Sequence, residues 1–377
     1  MEKRHLDQLG IDVSLLGFGC MRFPTNNGKI DEEQVERMID SAYQKGVNYY
    51  DTAYPYHNGE SEPVVGRILD RYDRSSYYLA TKLPVWLVNT LDDAKRLFEE
   101  QLTRLHKDYV DFYLLHALNI DRFHQMRDLG VIEYCEELKR QGKIKYLGFS
   151  FHDSYETFEE IITYRAWDFC QIQYNYFDRN EQAGDKGYAL AERLGIPMVI
   201  MEPLKGGNLC NFSDDINDIL HETRPNVSIA SFGLRWVASH PNVKVILSGM
   251  SSPDQVEDNL NTFCNYVPLT KEEDEAIEKA VRIIRSRVQN GCTGCRYCMP
   301  CPAGVDIPHN FSVWNTYHMF QSYGTVKWDW EQNMMQPNCR AELCKKCGLC
   351  ETKCPQKLSI REDLMKVAKD LNNPIFS

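Results

Sequence analysis

The chain has 377 residues, 43% hydrophobic and 26% charged, enough for one sizeable core and a smaller second domain. A formal net charge of -11 argues against a general phosphate-backbone binder, whose footprint is a basic patch, so no nucleic-acid partner is expected. No signal-like start precedes Glu2, Lys3 and Arg4, and no apolar run of about 18 residues occurs, so no membrane partner is expected and the cytoplasm is the expected setting.

From residue 10 to about 265, short β-type runs alternate with longer amphipathic stretches, the pattern of repeated βα units on a parallel sheet. Strands are expected at Leu15–Gly19, Val47–Asp51, Tyr77–Lys82, Val110–His116, Lys145–Ser150, Phe169–Gln173, Pro197–Met201 and Lys244–Leu247. Helices are expected at Asp31–Gln44, Leu91–Leu105, Leu129–Gln141, Ser154–Tyr164, Gln182–Leu194, Ile229–Ser239 and Pro253–Phe263, with Asp31, Ser154 and Ser252 as caps. Eight such units without an early G-x-G-x-x-G favour an α/β fold of the (β/α)8 TIM barrel type over a doubly wound sheet. A charged helix over Lys271–Arg287 ends this region. The expected domains are therefore 1–287 and a cysteine-rich 288–377.

Barrel enzymes place their chemistry at the C-terminal ends of strands. Asp51, Lys82 and His116 each end an apolar run, and Tyr56 lies in the loop after Asp51. Charged groups in such places are costly unless paired, so their coincidence points to one site. Carbonyl reduction by hydride needs a proton donor, and Tyr56 is the candidate acid. An adjacent Lys82 ammonium is expected to lower the Tyr56 pKa, Asp51 to hold Lys82 charged, and His116 to polarise the carbonyl. Tyr54 is a rival for the acid on chemistry alone.

With Asp51-Thr52-Ala53-Tyr54-Pro55-Tyr56, Ala80-Thr81-Lys82, Leu114-Leu115-His116 and Leu147-Gly148-Phe149-Ser150, the chain resembles the aldo-keto reductase family over roughly residues 5 to 265. The resemblance implies catalytic roles for Asp51, Tyr56, Lys82 and His116, and favours Tyr56 over Tyr54. It also implies a NADPH or NADH site formed by Ser150, Gln171, the loop Glu202, Pro203, Leu204, Lys205, Gly206 and Gly207, and the segment Ser248, Gly249, Met250 through Gln255, Asp258 and Asn259. By the same resemblance, many relatives that prefer NADPH place a Lys and an Arg around this last loop, where this chain has Gly249 and Gln255. Phe151 and His152 stand where the family has an Asn after the strand-five Ser.

Nine of the 14 cysteines crowd between Cys292 and Cys354, which suggests metal rather than disulfides. Cys20, Cys135, Cys170, Cys210 and Cys264 read as ordinary thiols. Cys292, Cys295, Cys298 and Cys301 form one four-cysteine run, and Cys344, Cys347, Cys350 and Cys354, followed by Pro355, form another with bacterial ferredoxin spacing. One or two [4Fe-4S] clusters are expected, with zinc as the alternative. Carried over from two-cluster ferredoxins, the pattern groups Cys354 with Cys292, Cys295 and Cys298, and Cys301 with Cys344, Cys347 and Cys350. Cys339 has no clear place.

Between the runs, Phe311, Trp314, Tyr317, Phe320, Tyr323, Trp328 and Trp330 read as packing of a helical insert. The tail resembles the small α-helical ferredoxin-like iron-sulfur domain appended to some aldo-keto reductases. The expected function is NAD(P)H-dependent interconversion of a small carbonyl compound and its alcohol, with an electron-transfer partner protein or a structural role for the clusters. The alternative is an electron-transfer or redox-sensing protein whose barrel binds nucleotide without carbonyl turnover.

Overall fold

A computed structural model describes residues 1–334 and 338–376; Met335, Gln336, Pro337 and Ser377 of the tail lie outside the described residues. Eight strands form the barrel: β1 (Leu16–Gly19), β2 (Tyr49–Asp51), β3 (Tyr78–Leu83), β4 (Val110–Leu118), β5 (Ile144–Phe151), β6 (Phe169–Gln173), β7 (Met198–Met201) and β8 (Val243–Ser248). Each pairs in parallel with the next, and β8 closes on β1. The expected strands fall on these because buried parallel strands read as nearly continuous apolar runs.

The caps also behave as expected. Asp31 accepts from the Gln34 N–H at 3.1 Å, Ser154 from Thr157 and Ser252 from Gln255, both at 3.4 Å. The expected helix Leu129–Gln141 is found as Val131–Arg140, starting after Gly130 at φ 72°. Three helices of the first 270 residues, Ser61–Leu69, Ile120–Asp128 and Asp214–Thr223, are absent from the expected set.

A hairpin of Lys3–Leu6 and Ile11–Ser14 supplies Leu6 and Val13 to a core with Tyr49, Phe112, Phe169, Val199 and Val245. Fully burying side chains of this size contributes about 1.5–3 kcal/mol each. Helix Ser61–Leu69 runs so close to the next helix that a Cβ on Gly66 would lie 2.4 Å from the Leu105 carbonyl oxygen. Gly66→Ala is therefore expected to destabilise the chain by about 1–3 kcal/mol, read as a lower urea midpoint. An unchanged midpoint would show that the two helices can move apart freely.

The chain divides into two compact units, Met1–Gly206 with Ala230–Thr270, and Gly207–Ile229 with Lys271–Ser377. The expected boundary, 287/288, lies just ahead of the first cysteine run; by packing, helix Lys271–Ser286 goes with the tail. It lies against Asp214–Thr223, and the buried Glu273 accepts from Arg224 at 2.6 Å. Arg287 bonds Asp215 at 3.0 Å within the same unit. Helices Ile307–Phe320 and Ile360–Asn372 enclose the second unit's own core, with Phe311, Trp314, Tyr317 and Trp330 buried. Phe320 is also buried, Tyr323 partly so, and Trp328 is 68% exposed.

Candidate functional site

Strand register brings the first set of residues to one end of the barrel. Asp51 ends β2 opposite Ala80, while Lys82 stands in β3 opposite Leu114 of β4, two residues before His116. Lys82 is buried, and its Nζ donates to Asp51 Oδ1 at 2.5 Å, to the Thr52 carbonyl at 2.9 Å and to the Tyr56 hydroxyl at 3.3 Å. The Tyr56 and His116 rings meet edge to face, centroids 6.0 Å apart. Tyr54 instead bonds Glu100 at 3.1 Å under the Arg104 guanidinium, which removes it from the Lys82 cluster.

Burial alone would lower the Lys82 pKa, but Asp51 and Tyr56 outweigh it and hold the ammonium above its usual range. For Tyr56 the expected lowering is corrected. Burial raises the phenol pKa more than Lys82 lowers it, so the hydroxyl stays protonated at neutral pH. Burial, reinforced by Lys82, pushes His116 well below the ordinary imidazole range. A neutral imidazole then keeps one N–H to donate.

His116 is aimed by an irregularity in its strand. The β4–β5 register shifts between Leu115 and Leu118, and Ala117 sits at φ 51°. The Ala117 N–H donates to Ser150 Oγ at 2.7 Å, leaving the Ser150 hydroxyl proton free to be donated. Gln171, paired in register with Ser150, donates to Asp51 Oδ2 at 3.3 Å. Gln171 Oε1 and His116 Nδ1 are buried without a partner. Such orphaned groups are costly unless a ligand satisfies them.

Two loops complete this end. Glu202 and Lys205 adopt φ 54° and 48°; Asn175 donates to the Glu202 carbonyl at 3.1 Å, and Lys205 pairs with Asp178 at 2.7 Å. Pro203 is buried, Leu204 half-buried and Gly206 exposed. After β8, Met250 is buried and Gly249 exposed; Asn259 donates to Ser248 Oγ at 2.8 Å, and Gln255 accepts from the Ser251 N–H at 2.7 Å. Asp258 lies on the same helix, Pro253–Cys264. Phe151 packs on Phe158, and His152 bonds Gln182 at 3.2 Å.

Three further neighbours come from the segments 21–29, 86–89 and 119–127, whose sequence points to a role in shaping the substrate site but singles out no residue. Arg22 lies over Gly249, 3.2 Å from where a Cβ would stand, and reaches Glu202 at 4.0 Å. The Trp86 ring is 5.1 Å from that of His116, and Arg122 bonds the Ala117 carbonyl at 2.8 Å. All three rise from loops or helix starts whose side-chain direction no periodic pattern encodes.

In the second unit, Cys292, Cys295, Cys298 and Cys354 line one cavity; Cys301, Cys344, Cys347 and Cys350 line another, which Cys298 also borders. Each run of three thus meets a fourth thiol from the other run. Asn290, buried, accepts from the Cys292 N–H at 2.9 Å and donates to Asp363 at 2.7 Å, tying the first run to the last helix. Each set of four is made of cysteines alone, the donor type that holds a [4Fe-4S] cluster. Cys339 lines neither cavity; buried, its thiol bonds the Met334 carbonyl at 3.6 Å.

Comparison with known proteins agrees with both halves. The model of the Aldo/keto reductase family matches residues 15–282, and that of a 4Fe-4S dicluster domain matches 291–359. The chain belongs to the aldo/keto reductase family and carries a C-terminal 4Fe-4S dicluster domain. It is 28% identical over 313 residues to the uncharacterized oxidoreductase YqkF of Bacillus subtilis (strain 168), covering 74% of this chain and 96% of that protein. With the NADH-specific methylglyoxal reductase of Escherichia coli (strain K12) it shares 27% identity over 330 residues, 74% of this chain and 100% of the relative. The holo form of aldo-keto reductase AKR11C1 from Bacillus halodurans superposes with a TM-score of 0.62 at 30% identity, over 74% of this chain and 96% of that one. No helix among the described residues is long and apolar enough to cross a membrane.

Proposed function

We propose that this protein uses a nicotinamide dinucleotide to interconvert a small carbonyl compound and its alcohol in the cytoplasm, with two [4Fe-4S] clusters in its tail. The observation that carries the reading is the buried Lys82 ammonium held between Asp51 and the Tyr56 hydroxyl, beside His116. The unpaired Gln171 Oε1 and the free Ser150 hydroxyl fit a nicotinamide carboxamide. The loops holding Glu202, Pro203, Leu204 and Gly206, and Ser248, Gly249, Met250, Gln255, Asp258 and Asn259, would hold the remainder. The cofactor, when bound, supplies or accepts hydride.

The residues of this chain then have separate tasks. Tyr56 donates its proton to the oxygen as charge develops there, and Lys82 offsets the charge left on the phenolate. Asp51 keeps Lys82 protonated and oriented. Neutral His116 donates its N–H to the same oxygen, with the Trp86 ring 5.1 Å from its own. In the tail, Cys292, Cys295, Cys298 and Cys354 would hold one cluster and Cys301, Cys344, Cys347 and Cys350 the other, each storing one electron. The intact Lys82–Tyr56 contact favours turnover over a barrel that only binds nucleotide.

The test follows absorbance at 340 nm with NADH and with NADPH against short aldehydes and ketones. Methylglyoxal, named for the Escherichia coli relative, is the first to try. With Gly249 and Gln255 where a Lys and an Arg would hold a 2'-phosphate, NADH is expected to serve at least as well as NADPH. No consumption of either cofactor, and no alcohol oxidation, would sink the reading and leave the electron-transfer alternative.

A further inference from the structure

The two cysteine runs present similar surfaces with different charge. In each run a large apolar side chain stands exposed between the second and third cysteines: Tyr297, 66% exposed, and Leu349, 43%. In each, the second cysteine, Cys295 or Cys347, is also exposed. Either edge therefore brings a cluster ligand to the surface beside an apolar contact, as a short electron path to another protein requires.

Charge distinguishes them. Beside the first run, Arg296 is neutralised by Asp306, both guanidinium nitrogens lying 3.3 Å from the carboxylate. Beside the second, Lys345 lines the cavity, Lys346 adjoins Cys347, and Lys353 ends the short helix Leu349–Lys353 that carries Cys350. All three lysines are exposed, and none forms an ion pair among the described residues. The nearby carboxylates are already engaged: Glu342 faces Arg340 at 3.9 Å, and Glu351 holds Arg361 at 2.8 Å. An unpaired basic rim on a chain of net charge -11 is a local inversion of sign. Such a patch steers an oppositely charged partner and repels a like one.

We propose that the surface around Cys347 and Leu349, rimmed by Lys345, Lys346 and Lys353, is the docking face for an acidic one-electron carrier protein. It follows that the cavity lined by Cys301, Cys344, Cys347 and Cys350 is the electron port. The proposal rests on the cluster part of the function above. In each encounter one electron crosses: the donor is oxidised by one equivalent, the acceptor reduced by one, and no covalent bond forms or breaks.

The experiment uses the full-length holoprotein, purified anaerobically, assayed for iron, and reduced with dithionite that is then removed. Two acceptors differing mainly in charge serve as probes: native cytochrome c, which is basic, and succinylated cytochrome c, which is acidic. Their reduction is followed at 550 nm. The expected result is that at low salt the acidic probe is reduced about tenfold faster or more, an advantage lost at high salt. The double substitution Lys345→Glu with Lys346→Glu should reverse the preference at unchanged iron content. Faster reduction of the basic probe, as the overall charge would dictate, overturns the proposal, as does a preference indifferent to the substitutions. A chain that holds no reducible iron instead overturns the cluster reading beneath it.

Discussion

Tyr56→Phe is expected to lower carbonyl turnover by about a hundredfold to ten-thousandfold, the usual range for losing a positioned general acid. The substitution removes one oxygen and leaves the ring in its edge-to-face contact with His116, so nucleotide binding, read by fluorescence titration, should stay near wild type. Loss in kcat with little change in cofactor affinity would mark the hydroxyl as a proton donor. An equal loss in both would mark it as a binding group. The pH profile adds a second check. With the phenol raised above its ordinary range, the reductive rate should hold level through neutrality and fall only in alkali, where the proton leaves. The reverse oxidation, which needs the phenolate as base, should rise over the same span. A reductive rate falling from about pH 7 would mean that Lys82 prevails over burial.

The second large effect concerns the tail. Cys354 is the last member of the second cysteine run in sequence but lines the cavity of the first. Cys354→Ser is therefore expected to disturb the site of Cys292, Cys295 and Cys298, and to leave that of Cys301, Cys344, Cys347 and Cys350 loaded. Iron should fall from about eight per chain toward four, and the coupled EPR signal of two reduced centres should simplify to that of one. Cys301→Ser should give the complementary result. If the damage from Cys354→Ser falls instead on the neighbouring Cys344, Cys347 and Cys350, the crossed grouping is wrong.

Much of the barrel was legible because its strands are buried on both faces and read as long apolar runs, broken near their C-terminal ends by Asp51, Lys82 and His116. Choosing Tyr56 over Tyr54 was not a matter of chemistry. It needed the family spacing, and in the fold Glu100 and Arg104 draw Tyr54 aside. Helix Ser61–Leu69 escaped because Ser61, Glu62 and Gly66 are buried along with its apolar residues, which erases the two-faced pattern. The Tyr56 pKa went the other way because burial is a property of the assembled pocket, invisible in the spacing of Lys82 and Tyr56. Arg22, Trp86 and Arg122 were unreadable for a related reason: long side chains reach toward a site from places that only the folded backbone defines.

The crossed cysteines also bear on how the protein is made. On this grouping, the first site remains incomplete from the synthesis of Cys292 until Cys354 leaves the ribosome, and the second is open until Cys350. Translation therefore imposes an order. The barrel segment can fold while the tail is still emerging, but iron and sulfide can be received only once Cys350 and Cys354 have emerged. A message cut short after residue 340 would yield a chain with the complete barrel segment and no finished site for a cluster. Cluster loading would thus report that translation had passed Cys354.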